Sequence, residues 1–323
     1  MPPISTGQKT LDVLKINNSE ELVGLIDDAT KRIPEISFFD ASGIKRNVYN
    51  TLVLTQDPKV GFRTPGAFAD HESPILKMRT TALKFLDASW EMDTALAQMT
   101  DWGKEEALAI QAMTHLRSAF FTLSQQIWYG VKNEDDGFRG LYELIGTGAG
   151  DEQSNEDLHI DARTLVGADA GANTGLSSVF AVSTGLDSIQ LAWGSEGTFV
   201  EGDITKVRMH NPENPQNSGA WYYGQELSGW VGLQVTSAHA FGRVHGLSEA
   251  NPLNDNMLYE LVSRFPGGRE PQAFFMTRRS QEQLRKSRIA FHPTGAAVET
   301  PDKVCGIPII VTDAIANNEE TFL

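Results

Sequence analysis

Along one long stretch of this chain, Lys104 to Tyr129, apolar side chains recur in steps of three and four. Ile110, Met113, Leu116, Phe120, Leu123 and Ile127 fall on one stripe, while Lys104, Glu105, Gln111, Thr114, Arg117 and Gln125 fall largely elsewhere. Gly103 and Gly130 bound the stretch. The pattern predicts one continuous helix, and at about 1.5 Å per residue it runs roughly 40 Å, long enough to brace more than one structural unit. Its apolar stripe is expected to face a sheet.

Elsewhere the texture is short strands, glycines and turns. Residues 1–35 open on a Pro/Gly-bearing segment and then offer a short amphipathic helix, with Ser19 as its cap and Leu22, Val23, Leu25 and Ile26 as its apolar side. A helix so short needs a partner surface. From Ile36 to Pro74, brief runs separated by Ser42-Gly43, Asp57-Pro58 and Pro65-Gly66 predict an extended β-hairpin whose apolar positions alternate poorly, as in a freestanding arm. Thr80–Trp90 alternates like a strand with Leu83 and Phe85 on one face.

After Gly130 an acidic turn leads into a short helix, and residues 146–175 predict loops. Two strands follow around Gly185, then a strand at Lys206–Met209. The most coherent β segment spans 220–247, where aromatic and β-branched residues are interrupted by glycines that signal bends. Helices are predicted at 254–265 and 278–288, the latter capped by Thr277 or Ser280. A strand at 272–276 and a final apolar strand from Lys303 complete an α+β pattern.

A net charge of −15 with no basic run argues against a dedicated nucleic-acid binder. A protein of this charge near DNA contains it rather than grips it. The hydrophobic content, 40%, supports a real core in one large domain or a few small ones. No apolar run approaches the length needed to span a bilayer and no signal peptide opens the chain, so a soluble protein made in a reducing cytoplasm is expected, with no membrane partner. The single cysteine, Cys305, cannot form an internal disulfide and is expected as a small buried apolar residue.

Enzyme signatures are missing. The sequence holds no Walker loop, nucleophile elbow, dinucleotide fingerprint or His-Glu-x-x-His. A calcium loop around Asp136-Gly137 fails because Lys132 occupies its first ligand position. His239 and His245 on one strand stand about 20 Å apart at 3.3 Å per residue, too far to share a metal. No catalytic residue, cofactor or metal ligand is assigned.

The order of features resembles the major capsid proteins of tailed bacteriophages, in the Hong Kong 97 fold and its short-tailed phage branch. The residues that carry the resemblance are Val60-Gly-Phe-Arg in the hairpin, then the long helix followed by Asp136-Gly-Phe-Arg-Gly-Leu-Tyr-Glu-Leu-Ile. The strand pair at 178–185 and 189–194, Trp230-Val-Gly-Leu-Gln-Val-Thr-Ser-Ala-His-Ala-Phe-Gly-Arg-Val and Gly306-Ile-Pro-Ile-Ile-Val-Thr-Asp-Ala-Ile extend it over nearly the whole chain. The resemblance implies a structural head protein without catalysis, assembling into pentamers and hexamers of an icosahedral shell around double-stranded DNA. It implies an N-terminal arm (1–35), an extension loop (36–78), a peripheral domain (79–135, 203–247, 303–323) and an axial domain (136–202, 248–302).

Its implied partners are other copies of the chain, a portal protein, a decoration protein and, since the sequence starts at the arm, a separate scaffolding protein. The implied location is the virion, after assembly in the host bacterial cytoplasm. Residues expected to touch neighbouring subunits are Leu22 and Ile26 in the arm and Arg46, Lys59, Phe62, Arg63 and Arg79 in a loop that is locally basic in an acidic chain. Two rivals compete: a β-rich tail or glycan-binding protein presenting Trp221-Tyr-Tyr and Trp230, and an enzyme built on Cys305 or the His239 and His245 pair.

Overall fold

The computed structural model describes residues 33–56, 58–66, 72–99, 103–145, 165–168, 175–194, 199–210, 219–291 and 299–319. Helices are α1 (Pro34–Phe38), α2 (Thr94–Met99), α3 (Lys104–Tyr129), α4 (Leu141–Ile145), α5 (Asp255–Ser263) and α6 (Arg278–Phe291). The strands up to the long helix are β1 (Asp40–Gly43), β2 (Val48–Gln56), β3 (Ile75–Ala82), β4 (Lys84–Asp87) and β5 (Trp90–Asp93). Those after it are β6 (Leu165–Gly167), β7 (Ser177–Val182), β8 (Ile189–Trp193), β9 (Val200–Glu201), β10 (Thr205–His210), β11 (Gly219–Gln225) and β12 (Leu227–Val235). The chain closes with β13 (Phe241–Leu247), β14 (Ala273–Met276), β15 (Lys303–Val304) and β16 (Ile307–Val311).

Helix α3 has the bounds its periodicity predicts, between Gly103 and Gly130. Its stripe is rotated from the predicted one. Leu108, Ala112, Leu116, Ala119, Phe120, Leu123 and Ile127 are buried, whereas Ile110 is 44% exposed and Met113 only half-buried. Small alanines carry the N-terminal half of the buried face, a role that a search for large apolar residues overlooks. Over its last turn the helix is buried all round, from Gln126 to Tyr129.

Two sheets explain this change along the helix. A five-stranded sheet in the order β1-β8-β12-β4, with β9 also on β12, supplies Trp193, Leu227, Val231 and Leu233 to the core that holds Leu116 and Phe120. A six-stranded sheet, β15-β16-β14-β7-β13-β6, is covered on both faces. Strand alternation sends Phe180, Val182, Ala273 and Phe275 to the helix α3 side, and Val179, Ala181, Phe274 and Met276 to the side packed by α5 and α6. The end of α3 inserts Trp128 there, its ring 4.9 Å from Phe180 and 5.0 Å from Phe275. The helix thus braces both sheets.

The segment 220–247 is three strands, each in a different sheet. Strand β11 pairs with β10 and β5, β12 lies inside the five-stranded sheet, and β13 pairs with β7 and β6. The C-terminal strand, expected beside the long helix with the long strands, instead pairs β16 with β14 in the six-stranded sheet. Strand β8, expected with the axial strands, joins β12.

Other differences have local causes. Residues 36–43, expected in the hairpin, belong to the core: Ile36 and Phe39 are fully buried and β1 lies parallel to β8. Leu83 is buried but Phe85 is exposed, because Leu83 lies outside the regular strands β3 and β4, so the alternation does not run through it. Thr277, not Ser280, caps α6, its hydroxyl accepting from the Ser280 amide at 3.1 Å. Cys305 is exposed, not buried, because it sits at φ +52° in the turn joining β15 to β16.

Candidate assembly surfaces

Strands β2 and β3 form a sheet of their own, paired antiparallel from Val48 opposite Ala82 to Gln56 opposite Ile75. The expected freestanding hairpin is therefore present, with its strands beginning later than predicted. Register puts Val48, Asn50 and Leu52 on one face with Ala82, Thr80 and Met78. That face is open: Leu52 is 64% and Met78 67% exposed, and Val48 and Leu76 are also exposed. The opposite face carries Tyr49 and Thr51, both half-buried. The Tyr49 hydroxyl accepts from Gln190 Nε2 at 3.2 Å, which fastens the hairpin root to β8.

Of the residues expected to touch neighbours, Arg46 is exposed at the root and Lys59, Phe62 and Arg63 are exposed at the tip, Phe62 completely. Arg79 lies in β3 opposite Thr51. Leu22 and Ile26 lie outside the described residues. Lys59, Phe62 and Arg63 thus fall in one short exposed segment beyond β2, and Arg46 lies before the start of β2.

Two buried polar clusters tie segments distant in the chain together within the core. In the first, Arg243 and Glu319 are each 3% exposed and pair at 2.9 Å. Arg243 Nε donates to Ser178 Oγ at 2.9 Å, Ser178 Oγ donates to Glu319 Oε2 at 2.7 Å, and the guanidinium lies 3.9 Å from the Tyr142 ring centre. The Tyr129 hydroxyl donates to Glu319 Oε1 at 3.2 Å and accepts from the Ala316 amide at 2.8 Å. Burial, reinforced by the Glu319 charge, pushes the Tyr129 phenol far above its ordinary range, so it remains a donor. The cluster ties the chain's C-terminal segment to β7, β13 and the end of α3.

In the second cluster Glu35 is fully buried, and its Oε1 accepts from Trp128 Nε1 at 3.0 Å and from Thr312 Oγ1. Burial raises the Glu35 carboxyl above the usual carboxylate range, and the hydrogen bonds from Thr312 and Trp128 oppose that shift. Neither cluster was predicted. The one sequence signal was Arg243 inside an otherwise apolar, aromatic strand, since a charge there needs a buried partner. Glu35 and Glu319 carry no such mark.

The features that motivated the rival readings are dispersed. Trp221 is 48% exposed on β11, whereas Trp230 packs edge-on against Phe85 at 5.2 Å in another sheet. His239 lies in a single helical turn before β13 and His245 within β13. Burial, with the Arg243 charge beside it, holds His245 below its ordinary range. Among the described residues no three His, Cys, Asp or Glu side chains are grouped to hold a metal, and no helix is long and apolar enough to cross a membrane.

No protein-family model matches the chain, and no curated protein matches it. Its structure is similar to a chain of bacteriophage Epsilon15 solved by cryo-electron microscopy, with a TM-score of 0.60 at 14% sequence identity over 86% of this chain and 87% of that one. The bacteriophage JBD30 capsid is a weaker likeness, with a TM-score of 0.48 at 10% identity over 88% and 92% of the two chains. The fold is the α+β Hong Kong 97-like capsid fold that the sequence resemblance implied.

Proposed function

We propose that this chain is the major capsid protein of a tailed bacteriophage, a structural protein without catalysis that assembles into pentamers and hexamers of an icosahedral shell around double-stranded DNA. One observation carries the reading: a chain with the Epsilon15 fold extends a two-stranded hairpin whose apolar face and tip lie open to solvent. A lone hairpin is marginal in water, so this one is completed by a surface outside its own fold. A net charge of −15 suits a container that must not hold its cargo tightly.

In this reading the peripheral domain is built on α3 and the five-stranded sheet, the axial domain on the six-stranded sheet with α5 and α6, and the loop is the β2–β3 hairpin. Arg46, Lys59, Phe62, Arg63 and Arg79 contact neighbouring subunits, as do Leu22 and Ile26 of the arm. Scaffolding, portal and decoration proteins are its further partners, and assembly takes place in the bacterial cytoplasm. Negative-stain electron microscopy of the protein, alone and co-expressed with candidate scaffolding proteins, tests the reading. Rings of capsomer size or closed particles are expected; a sample that stays monomeric under all assembly conditions overturns it.

A further inference from the structure

Two adjacent residues at the end of α3 hold the first and last described segments of the chain. Trp128 Nε1 donates to Glu35 Oε1 at 3.0 Å, and Thr312 Oγ1 donates to the same oxygen. The Tyr129 hydroxyl accepts instead from the Ala316 amide at 2.8 Å, and the Glu319 amide donates to the Leu176 carbonyl at 2.9 Å. Residues 312–319 therefore have two separate fastenings, and only the one at Thr312 runs through Glu35.

The setting of Glu35 is unusual for a carboxyl. It lies in α1, a five-residue helix without a side-chain cap, which follows residues 1–32 in the chain. Its side chain is fully buried, and Oε2 has no hydrogen-bond partner. Ser124, one turn before Trp128 on α3, faces the carboxyl, yet its hydroxyl falls outside hydrogen-bonding geometry. Every group that acts on the carboxyl is neutral. Burial raises its proton affinity, and Thr312, Trp128, the backbone and, least, Ser124 oppose the rise. Charged residues of the elements around it are directed elsewhere. Asp40 stands 3.9 Å from where a Cβ would stand at Gly185, Asp313 is exposed, and Arg243 and Glu319 pair with each other beside Tyr129. Strands β14 and β7 contribute the rings of Phe275 and Phe180, both packed on Trp128.

Such a site accepts a carboxylic acid, whose proton sits on Oε2, and rejects a carboxylate, whose charge would meet no cation and no further donor. We infer that Glu35 is a proton-operated latch: the protonated side chain holds α1 in the core, and loss of the proton releases α1 together with the Thr312 end of the C-terminal segment. The remainder of that segment stays in place, because Tyr129, Ser177 and Arg243 hold Ala316 and Glu319 without Glu35. The inference goes beyond the capsid reading and does not depend on it. It gives the root of the chain's N-terminal segment two states, selected by pH.

Hydrogen exchange of the full-length chain tests this, read by mass spectrometry from weakly acidic to weakly alkaline pH and corrected for the intrinsic pH dependence of amide exchange. Protection over 33–43 and 312–314 is expected to fall by up to about tenfold per pH unit, the slope of an opening that releases one proton. Residues 278–291 and 316–319 are expected to keep theirs. Glu35→Gln retains an acceptor for Trp128 and Thr312 and has no proton to lose, so its protection is expected to stay level across the same range. Asp40→Asn is expected to retain the slope, which separates Glu35 from the other buried acid of that segment. Protection over 33–43 that does not change with pH overturns the inference. So does a fall shared equally by the whole chain, a fall that persists in Glu35→Gln, or one abolished by Asp40→Asn. If thermal melting shows Glu35→Gln misfolded, the unaltered chain and Asp40→Asn decide between the same outcomes. None of these results bears on the capsid reading, which stands or falls with particle formation.

Discussion

Arg243 and Glu319 pair at 2.9 Å with 3% of each side chain exposed, joining β13 to the last described residue of the chain. Removing one partner of such a buried pair strands the other charge, at a cost of about 3–5 kcal/mol. Glu319→Ala is therefore expected to lower the denaturant midpoint strongly, as followed by tryptophan fluorescence, since Trp128 lies in the adjoining core. Arg243→Met with Glu319→Leu removes both charges and is expected to cost much less than the sum of the single variants. A double variant as unstable as that sum would show that the two residues act independently.

Glu35 makes stability depend on pH. Burial raises its carboxyl in the folded chain above the unfolded value, so the folded state holds the proton more tightly. By linkage its contribution is fully present below the unfolded value and is lost as pH rises through the folded one. Glu35→Gln keeps an oxygen to accept from Trp128 and Thr312 and removes the titration. The variant is expected to lose the stability decline above the carboxylate range, read as a flatter plot of unfolding midpoint against pH. An unchanged slope would assign the decline to other groups.

Gly130 ends α3 at φ +63°, and an added Cβ would stand 2.1 Å from the Gly140 amide nitrogen. The reverse approach, Gly140 toward Gly130, is 2.3 Å. Backbone cannot yield as a flexible side chain does, so Gly140→Ala is expected to cost about 1–3 kcal/mol by overpacking, and Gly130→Ala more because its backbone is also strained. Thermal melting of the two variants checks the order.

What the sequence revealed and what it hid divide along one physical line. Local signals worked: the period from Lys104 to Tyr129 and its flanking glycines located α3, and turn residues located the hairpin. Long-range pairing left no such trace. Consecutive strands β11, β12 and β13 enter different sheets, and β16 joins β14 across α6, because partner choice depends on surfaces distant in the chain. The exposure of Lys59, Phe62 and Arg63 was legible because a polar, Pro/Gly-bearing turn is a property of a short segment. The buried cluster of Glu35, Trp128 and Thr312 was not, since its members meet only in the folded molecule.

Leu52 lies directly opposite Met78 on the open face of the hairpin. Both are more than half exposed, so within one chain they contribute little beyond a cross-strand pair, about 0.2–1 kcal/mol. If that face is covered on assembly, each side chain buried there contributes about 1.5–3 kcal/mol, repeated at every equivalent contact in a shell. Leu52→Asp and Met78→Asp are therefore expected to leave the melting of the dispersed chain nearly unchanged while sharply lowering particle yield or the denaturant concentration at which particles dissociate. Comparing the two transitions separates a folding effect from an assembly effect. Equal shifts in both would place the hairpin face within the fold of the single chain, and a shift in neither would leave that face in solvent after assembly.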